Sequence, residues 1–166
     1  WSSLGTTLAV LSANTFNQMV EVDKDAQMSR TLTRILPTGK ISMAHAGAFG
    51  VATGAAGTAM LASMVNPLTA ALAFSNIILY AGVYTPLKQK HPINTWVGSV
   101  VGAIPPMIGW AAATGGLGMG AWALGGLLFV WQIPHFLALA WSLRSDYEKA
   151  GYKMLSNVAP EKLPAC

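Results

Sequence analysis

Four long stretches free of Asp, Glu, Lys and Arg decide what this chain can fold into. The first runs from Met43 to Val65, where the sole ionisable group is His45. At helical rise its 23 residues reach about 35 Å, enough to span the hydrocarbon core of a bilayer. Similar stretches cover Leu68 to Pro86, Asn94 to Thr114 and Leu117 to Trp141. A sequence that is 53% hydrophobic and only 10% charged does not fit a soluble globular domain. Residues 1 to 20 are apolar and small enough to end a further span, with Asn14 and Asn17 at its polar exit. The expected fold is an all-α, polytopic transmembrane bundle of about five spans, the first truncated. Trp1 opens directly in apolar sequence, so a piece of a longer protein is expected. The single cysteine, Cys166, excludes an internal disulfide and is expected to be incidental.

All sixteen charged side chains fall into three clusters: Glu21 to Lys40, Lys88 with Lys90, and Arg144 to Lys162. Alternating the spans places these clusters on one side of the membrane. The opposite connections, around Asn66-Pro67 and Thr114 to Gly118, carry no charge. Ten Lys and Arg against six acids make the charged face the one expected on the cytoplasmic or matrix side. Simple solvation and orientation account for the lysines, but less well for the spacing of the acids. The spans are rich in small residues: Gly50/Gly54, Gly98/Gly102 and Gly116/Gly120 each form a small-xxx-small pair that predicts close helix packing. Pro105-Pro106 and Pro134 lie inside spans, and Asn76, Gln132 and His135 are polar at membrane depth. A bundle around an internal cavity, open toward the charged face, is the expected result.

Asn17, Glu21 and Asp25 recur every four residues, which on a helix puts one amide and two carboxylates on one face, while Asp23 points away. The acids repel unless something positive lies between them. A hard divalent ion such as Mg²⁺ prefers oxygen ligands and keeps substrate phosphates in its shell. Arg30 and Arg34 follow at once and can hold phosphate oxygens. Tyr84 and Lys88 repeat the four-residue spacing at the end of the third span; they can touch a diphosphate or anchor the membrane boundary. Arg144, Asp146, Tyr147 and Lys149 lie just past the last span, where Asp146 can supply a metal ligand across the cavity or belong to a solvated helix end. The run Trp131-Gln132-Ile133-Pro134-His135-Phe136 joins a helix breaker to side chains that stack or hydrogen-bond. His135, like His45, reads as a packed histidine or a ligand. The sequence offers no catalytic triad, no phosphate-binding glycine loop and no Cys/His zinc spacing.

This combination resembles the UbiA superfamily of intramembrane prenyltransferases, and within it the branch that acts on heme, across essentially the whole chain. The superfamily's first motif, Asn-x-x-x-Asp-x-x-x-Asp, is represented by Asn17, Glu21 and Asp25. Glu21 replaces the first Asp, as in the mitochondrial heme branch. Met28-Ser29-Arg30-Thr31, with Arg34, Pro37 and Gly39, is similar to the signature that follows, although Thr33 and Ile35 depart from its usual Asn-Arg-Pro. Tyr84 and Lys88 match a Tyr-x-x-x-Lys motif, and Asn94 to Gly98 through Pro105-Pro106 is similar to the next helix. Trp131 to Phe136 resembles a Trp-Gln-x-Pro-His-Phe motif. The second acidic motif, elsewhere Asp-x-x-x-Asp, reads Asp146-Tyr-Glu-Lys-Ala150, the departure that the heme branch shows.

The resemblance implies that residues 1–166 form a partial UbiA-like domain, from the end of its second helix to the loop after its sixth. It implies Mg²⁺ on Asn17, Glu21, Asp25 and Asp146, which are also the catalytic set. It implies a diphosphate held by Arg30, Arg34, Tyr84, Lys88, Arg144 and Lys149, and heme near His135, His45 and Trp131. Farnesyl diphosphate and heme B are then the substrates, and aromatics such as Tyr84 or Trp131 shield the carbocation. The partners implied are these two molecules and the lipid bilayer, with no nucleic acid and with a homo-oligomer left open. The mitochondrial inner membrane, charged face toward the matrix, is the expected location, a bacterial inner membrane the alternative. Two other readings stay open: a prenyltransferase acting on a quinone precursor or chlorophyllide, and a transporter or assembly subunit, for which no inverted repeat is visible.

Overall fold

The computed structural model describes residues 1–160, so Glu161, Lys162 and Cys166 lie outside the described residues. Five long rods and two short helices near the end of the chain make up an all-helical bundle, with no strand among the described residues. Helix α1 spans Ser2–Asp25 and α2 Met43–Met64. The third rod is α3 (Pro67–Ile78), a π-helical turn (Leu79–Tyr84) and α4 (Thr85–Lys90) run together. Then come α5 (Asn94–Thr114), α6 (Met119–Ser142), α7 (Arg144–Lys149) and α8 (Leu155–Val158).

Four rods are long and apolar enough to cross a membrane: α2, the rod Pro67–Lys90, α5 and α6. Helix α1 has the length, at 24 residues, but carries Glu21, Asp23, Lys24 and Asp25 in its last turns. The third rod also continues past Pro86, where an uncharged span was expected to stop, and so carries Lys88 and Lys90 on a helix.

Local chemistry sets the ends. Ser42 accepts a hydrogen bond from the His45 amide to start α2, and Asn66 accepts from Thr69 N at 2.8 Å with Pro67 in the first turn of α3. Gly115 takes the left-handed conformation (φ 75°) that closes α5.

Packing follows the small residues. Helices α1 and α2 lie so close that a Cβ on Gly57 would come within 2.7 Å of Gly5 O, and Ser12 Oγ donates to Gly50 O at 2.7 Å. Gly98 receives the Tyr84 ring, and Gly102 the buried amide of Gln132. Gly120 lies against Trp110, but its expected pair, Gly116, has open space where a Cβ would be and sits in the α5–α6 turn. An apolar core of Ala9, Leu61, Ala70, Ala73, Ile77 and Ile108 joins α1, α2, α3 and α5.

A second core, built from Met28, Ala140, Ala150, Tyr152 and Met154, lies under the charged end. There the three charge clusters meet. Ser29 Oγ donates to Asp146 at 2.7 Å, and the strap between α7 and α8 is tied to α4 and α5 by Lys153 N–H to Lys88 O at 2.9 Å and Asn94 Nδ2 to Lys153 O at 3.1 Å.

Candidate active site at the charged end

The four-residue ladder holds. Asn17, Glu21 and Asp25 are all buried on one face of α1, at 5%, 3% and 2% exposure. Asn17 Nδ2 donates to Glu21 Oε2 at 2.6 Å, and Asp25 Oδ2 accepts from Arg34 at 2.7 Å. Lys88 Nζ lies 2.6 Å from Glu21 Oε1. Glu21 Oε1 is buried and has the Lys88 ammonium beside it.

The third rod delivers Lys88 through a distortion. Pro86 has no N–H, and its ring would clash with the carbonyl of residue 82, four positions back. The helix widens into the π turn just ahead of it, and both the amide and the hydroxyl of Thr85 reach Tyr80 O, the hydroxyl at 2.8 Å. The hydroxyl also lies 3.3 Å from Asn17 Oδ1. Tyr80 and Tyr84 then stack, with centroids 5.6 Å apart. Lys88 Nζ sits 5.1 Å from the Tyr84 ring centre and 5.8 Å from that of Tyr152.

These groups enclose a polar cavity of about 380 Å³, lined by the α1 ladder with Asn14 and Gln18, by Met28, Arg30 and Arg34, by Tyr80 and Lys88, and by Tyr147 and Tyr152. Its charged lining holds three cations and two acids. Lys88 and Arg34 are paired with the acids, while Arg30 forms no salt bridge among the described residues. Burial, and next the negative charge of Glu21, push the Tyr152 phenol above its ordinary range. Burial raises that of Tyr147 as well, against the lowering effect of Arg30.

Other expected residues stand elsewhere. Tyr84 is packed behind the cavity wall, between Tyr80 and Gly98. Asp146 is bound to Ser29 and does not line the cavity. Arg144 is exposed and lies over the Trp141 ring at 4.5 Å, and Lys149 is exposed at the end of α7. Trp131 and His135 stack on each other at 4.8 Å on an exposed face of α6, away from the cavity. The expectation that His135 faces the bundle interior is therefore corrected: Gln132 is the residue of this run that is buried, while His135 is exposed and stacks on Trp131, four positions back and itself exposed. His45 lines a separate, mainly apolar groove of about 500 Å³, bounded by Leu11, Ile35, Leu36, Ile41 and Phe49 and sharing only Asn14 and Gln18 with the cavity. Sequence reasoning did not single out Tyr80, Tyr152 or Gln18, and named Tyr147 without a role. The usable signal was spacing: Tyr80 precedes Tyr84 by four, and Gln18 follows Asn14 by four.

Among the described residues no three His, Cys, Asp or Glu side chains form a metal-binding group. The ladder still suits a hard cation that takes few protein ligands. Its donors are all oxygens, they border a cavity, and each carboxylate is paired with a side-chain cation.

The model of the UbiA prenyltransferase family matches residues 1–164. The chain belongs to the UbiA prenyltransferase family. Curated relatives agree with this UbiA assignment. The chain is 53% identical over 160 residues to a protein of Arabidopsis thaliana named protoheme IX farnesyltransferase, mitochondrial, covering 96% of this chain and 37% of that protein. Proteins of the same name from Homo sapiens and Yarrowia lipolytica are each 52% identical, over 159 and 153 residues. Those alignments cover 96% and 92% of this UbiA-family chain and 36% and 32% of the relatives. The chain thus spans about 37% of the length of the Arabidopsis relative. No solved structure matches the chain.

Proposed function

We propose that this chain carries the diphosphate-handling part of an enzyme that transfers a farnesyl group from farnesyl diphosphate to a vinyl group of heme B. The observation that carries the reading is the α1 ladder: two buried carboxylates, each met by a cation, on the wall of a polar cavity that also holds Arg30. The names of the relatives, at about half identity, choose the substrates.

Arg30 is the first cation to meet an incoming diphosphate, because no acid competes for it. Lys88 and Arg34 lie behind it, and each can turn from its carboxylate to a phosphate oxygen. Mg²⁺ would be held by Asn17, Glu21 and Asp25, and when bound it supplies positive charge that neutralises the leaving group. Asp146 holds Ser29, and with it the position of its neighbour Arg30.

As the allylic C–O bond breaks, its electron pair leaves with the diphosphate, and Arg30, Arg34 and Lys88, already turned to its oxygens, stabilise the growing negative charge. The vinyl π electrons form the new C–C bond. Water adds to the resulting carbon centre, its proton passes to solvent, and the product is a hydroxyethylfarnesyl heme. The apolar rods keep the reacting chain in lipid-like surroundings; the names of the relatives support a mitochondrial membrane, and the positive charge of the cavity end supports a matrix-facing site.

The test uses the complete protein in bilayers with heme B, farnesyl diphosphate and Mg²⁺. Heme O, identified by mass, is the expected product. Its absence where a mitochondrial relative works under the same conditions rejects the reading.

A further inference from the structure

Three of the residues lining the polar cavity are tyrosines from two distant parts of the chain: Tyr80 at the π turn, and Tyr147 on α7 with Tyr152 on the strap. Tyr147 and Tyr152 meet edge to face, with centroids 5.6 Å apart and planes at 86°. Tyr152 is almost fully buried, at 4% exposure.

The fixed charges of the cavity are already committed. Its arginines and lysine suit the diphosphate, and its two acids, paired here with Lys88 and Arg34, would be taken up by Mg²⁺ once those cations turn to the diphosphate. A positive carbon centre formed beside them therefore has no free anion to face, which protects it from capture by a carboxylate. What remains are aromatic faces, which carry negative quadrupole density. The structure already puts a cation against them: Lys88 Nζ lies within 6 Å of the centres of the Tyr84 and Tyr152 rings.

We propose that Tyr147 and Tyr152, completed by Tyr80, are catalytic residues whose ring faces stabilise the allylic cation left when the prenyl C–O bond breaks and its electron pair departs with the diphosphate. This rests on the diphosphate reading given above. It moves the cation-shielding role from Tyr84 and Trp131, which do not line the cavity, to three rings that do. Contact with a charge that exists only at and after bond breaking raises kcat and leaves donor binding unchanged.

The experiment compares Tyr147→Phe, Tyr147→Leu, Tyr152→Phe and Tyr152→Leu in the complete protein in lipid nanodiscs. Each Leu variant is expected to lower kcat by about 10- to 30-fold with the KM for farnesyl diphosphate within about 2-fold, and each Phe variant to stay near wild type. Affinity gives a second readout, using a farnesyl-like trialkylammonium salt with inorganic pyrophosphate, and separately the unreactive thiolodiphosphate of farnesol. Leu variants should weaken the ammonium by roughly 10-fold and the thiolodiphosphate hardly at all. Phe variants as impaired as Leu variants would assign the work to the hydroxyls and overturn the proposal, as would Leu variants with wild-type kcat and ammonium affinity. Because Tyr152 belongs to a core, the half-buried Tyr147 decides the matter if Tyr152→Leu does not fold. A wild-type protein that bound no thiolodiphosphate and transferred no farnesyl would instead remove the underlying reading.

Discussion

The two ends of the bundle use inward-facing polar side chains in opposite ways. At the neutral end Asn66 accepts from the Thr69 amide at 2.8 Å and donates to Ala111 O at 2.9 Å, so one amide closes loose backbone ends of two rods. At the charged end Glu21 meets Lys88 and Asp25 meets Arg34, side chain to side chain. A bond to backbone is fixed by the fold. A bond between side chains can be surrendered to a ligand. Inward-facing polarity therefore marks a candidate reaction site where its partners are other mobile groups around a cavity, and marks architecture where its partners are main-chain atoms.

The sharpest way to break this contrast is Glu21→Gln, which leaves Lys88 without its carboxylate. Heme O formation should fall by at least about 100-fold, and thermal unfolding in detergent should show a loss of about 3 kcal/mol. Replacing both partners, Glu21→Gln with Lys88→Met, should recover most of the stability and none of the activity; recovered turnover would make the pair purely structural. Asp25→Asn should also cost about 100-fold in turnover, but only about 1 kcal/mol in stability, because Arg34 is a third exposed and water screens the pair. At the neutral end the expectation reverses. Asn66→Ala should destabilise by about 1–2 kcal/mol and leave the turnover of the folded fraction unchanged, and a specific loss of kcat would erase the distinction between the ends.

The smallest effect concerns Tyr152. Its folded-state pKa is raised, so above about pH 10 the unfolded chain gives up the phenolic proton while the folded chain keeps it. The stability it contributes is whole below pH 10 and is lost as pH climbs beyond that. Unfolding followed between pH 9 and about 11 should show wild type losing more stability than Tyr152→Phe; equal losses would mean that the phenol is in contact with water.

The rods and the ladder were legible because each rests on a local period: long uncharged stretches give spans, and a four-residue spacing gives one helix face. The meeting of Glu21 with Lys88 followed from span parity and the Tyr84/Lys88 motif. What spacing could not show is the π turn, which changes the direction of every side chain after Leu79 and puts Tyr80, not Tyr84, on the cavity wall. Nor could it show the strap, where Tyr152 reaches the cavity because Lys153 is tied to the carbonyl of Lys88. His135 and Trp131 were read by residue type alone, which says nothing of the face on which they lie.

The tie between Ser29 and Asp146 spans 117 residues of sequence. At ribosomal speeds of about 5–20 residues per second, roughly 6 to 23 s separate the synthesis of its two ends. Throughout that interval the segment that closes over the α1 acids does not yet exist. Until α7 and the strap arrive, the α1 acids lack the wall that Tyr147 and Tyr152 give the cavity.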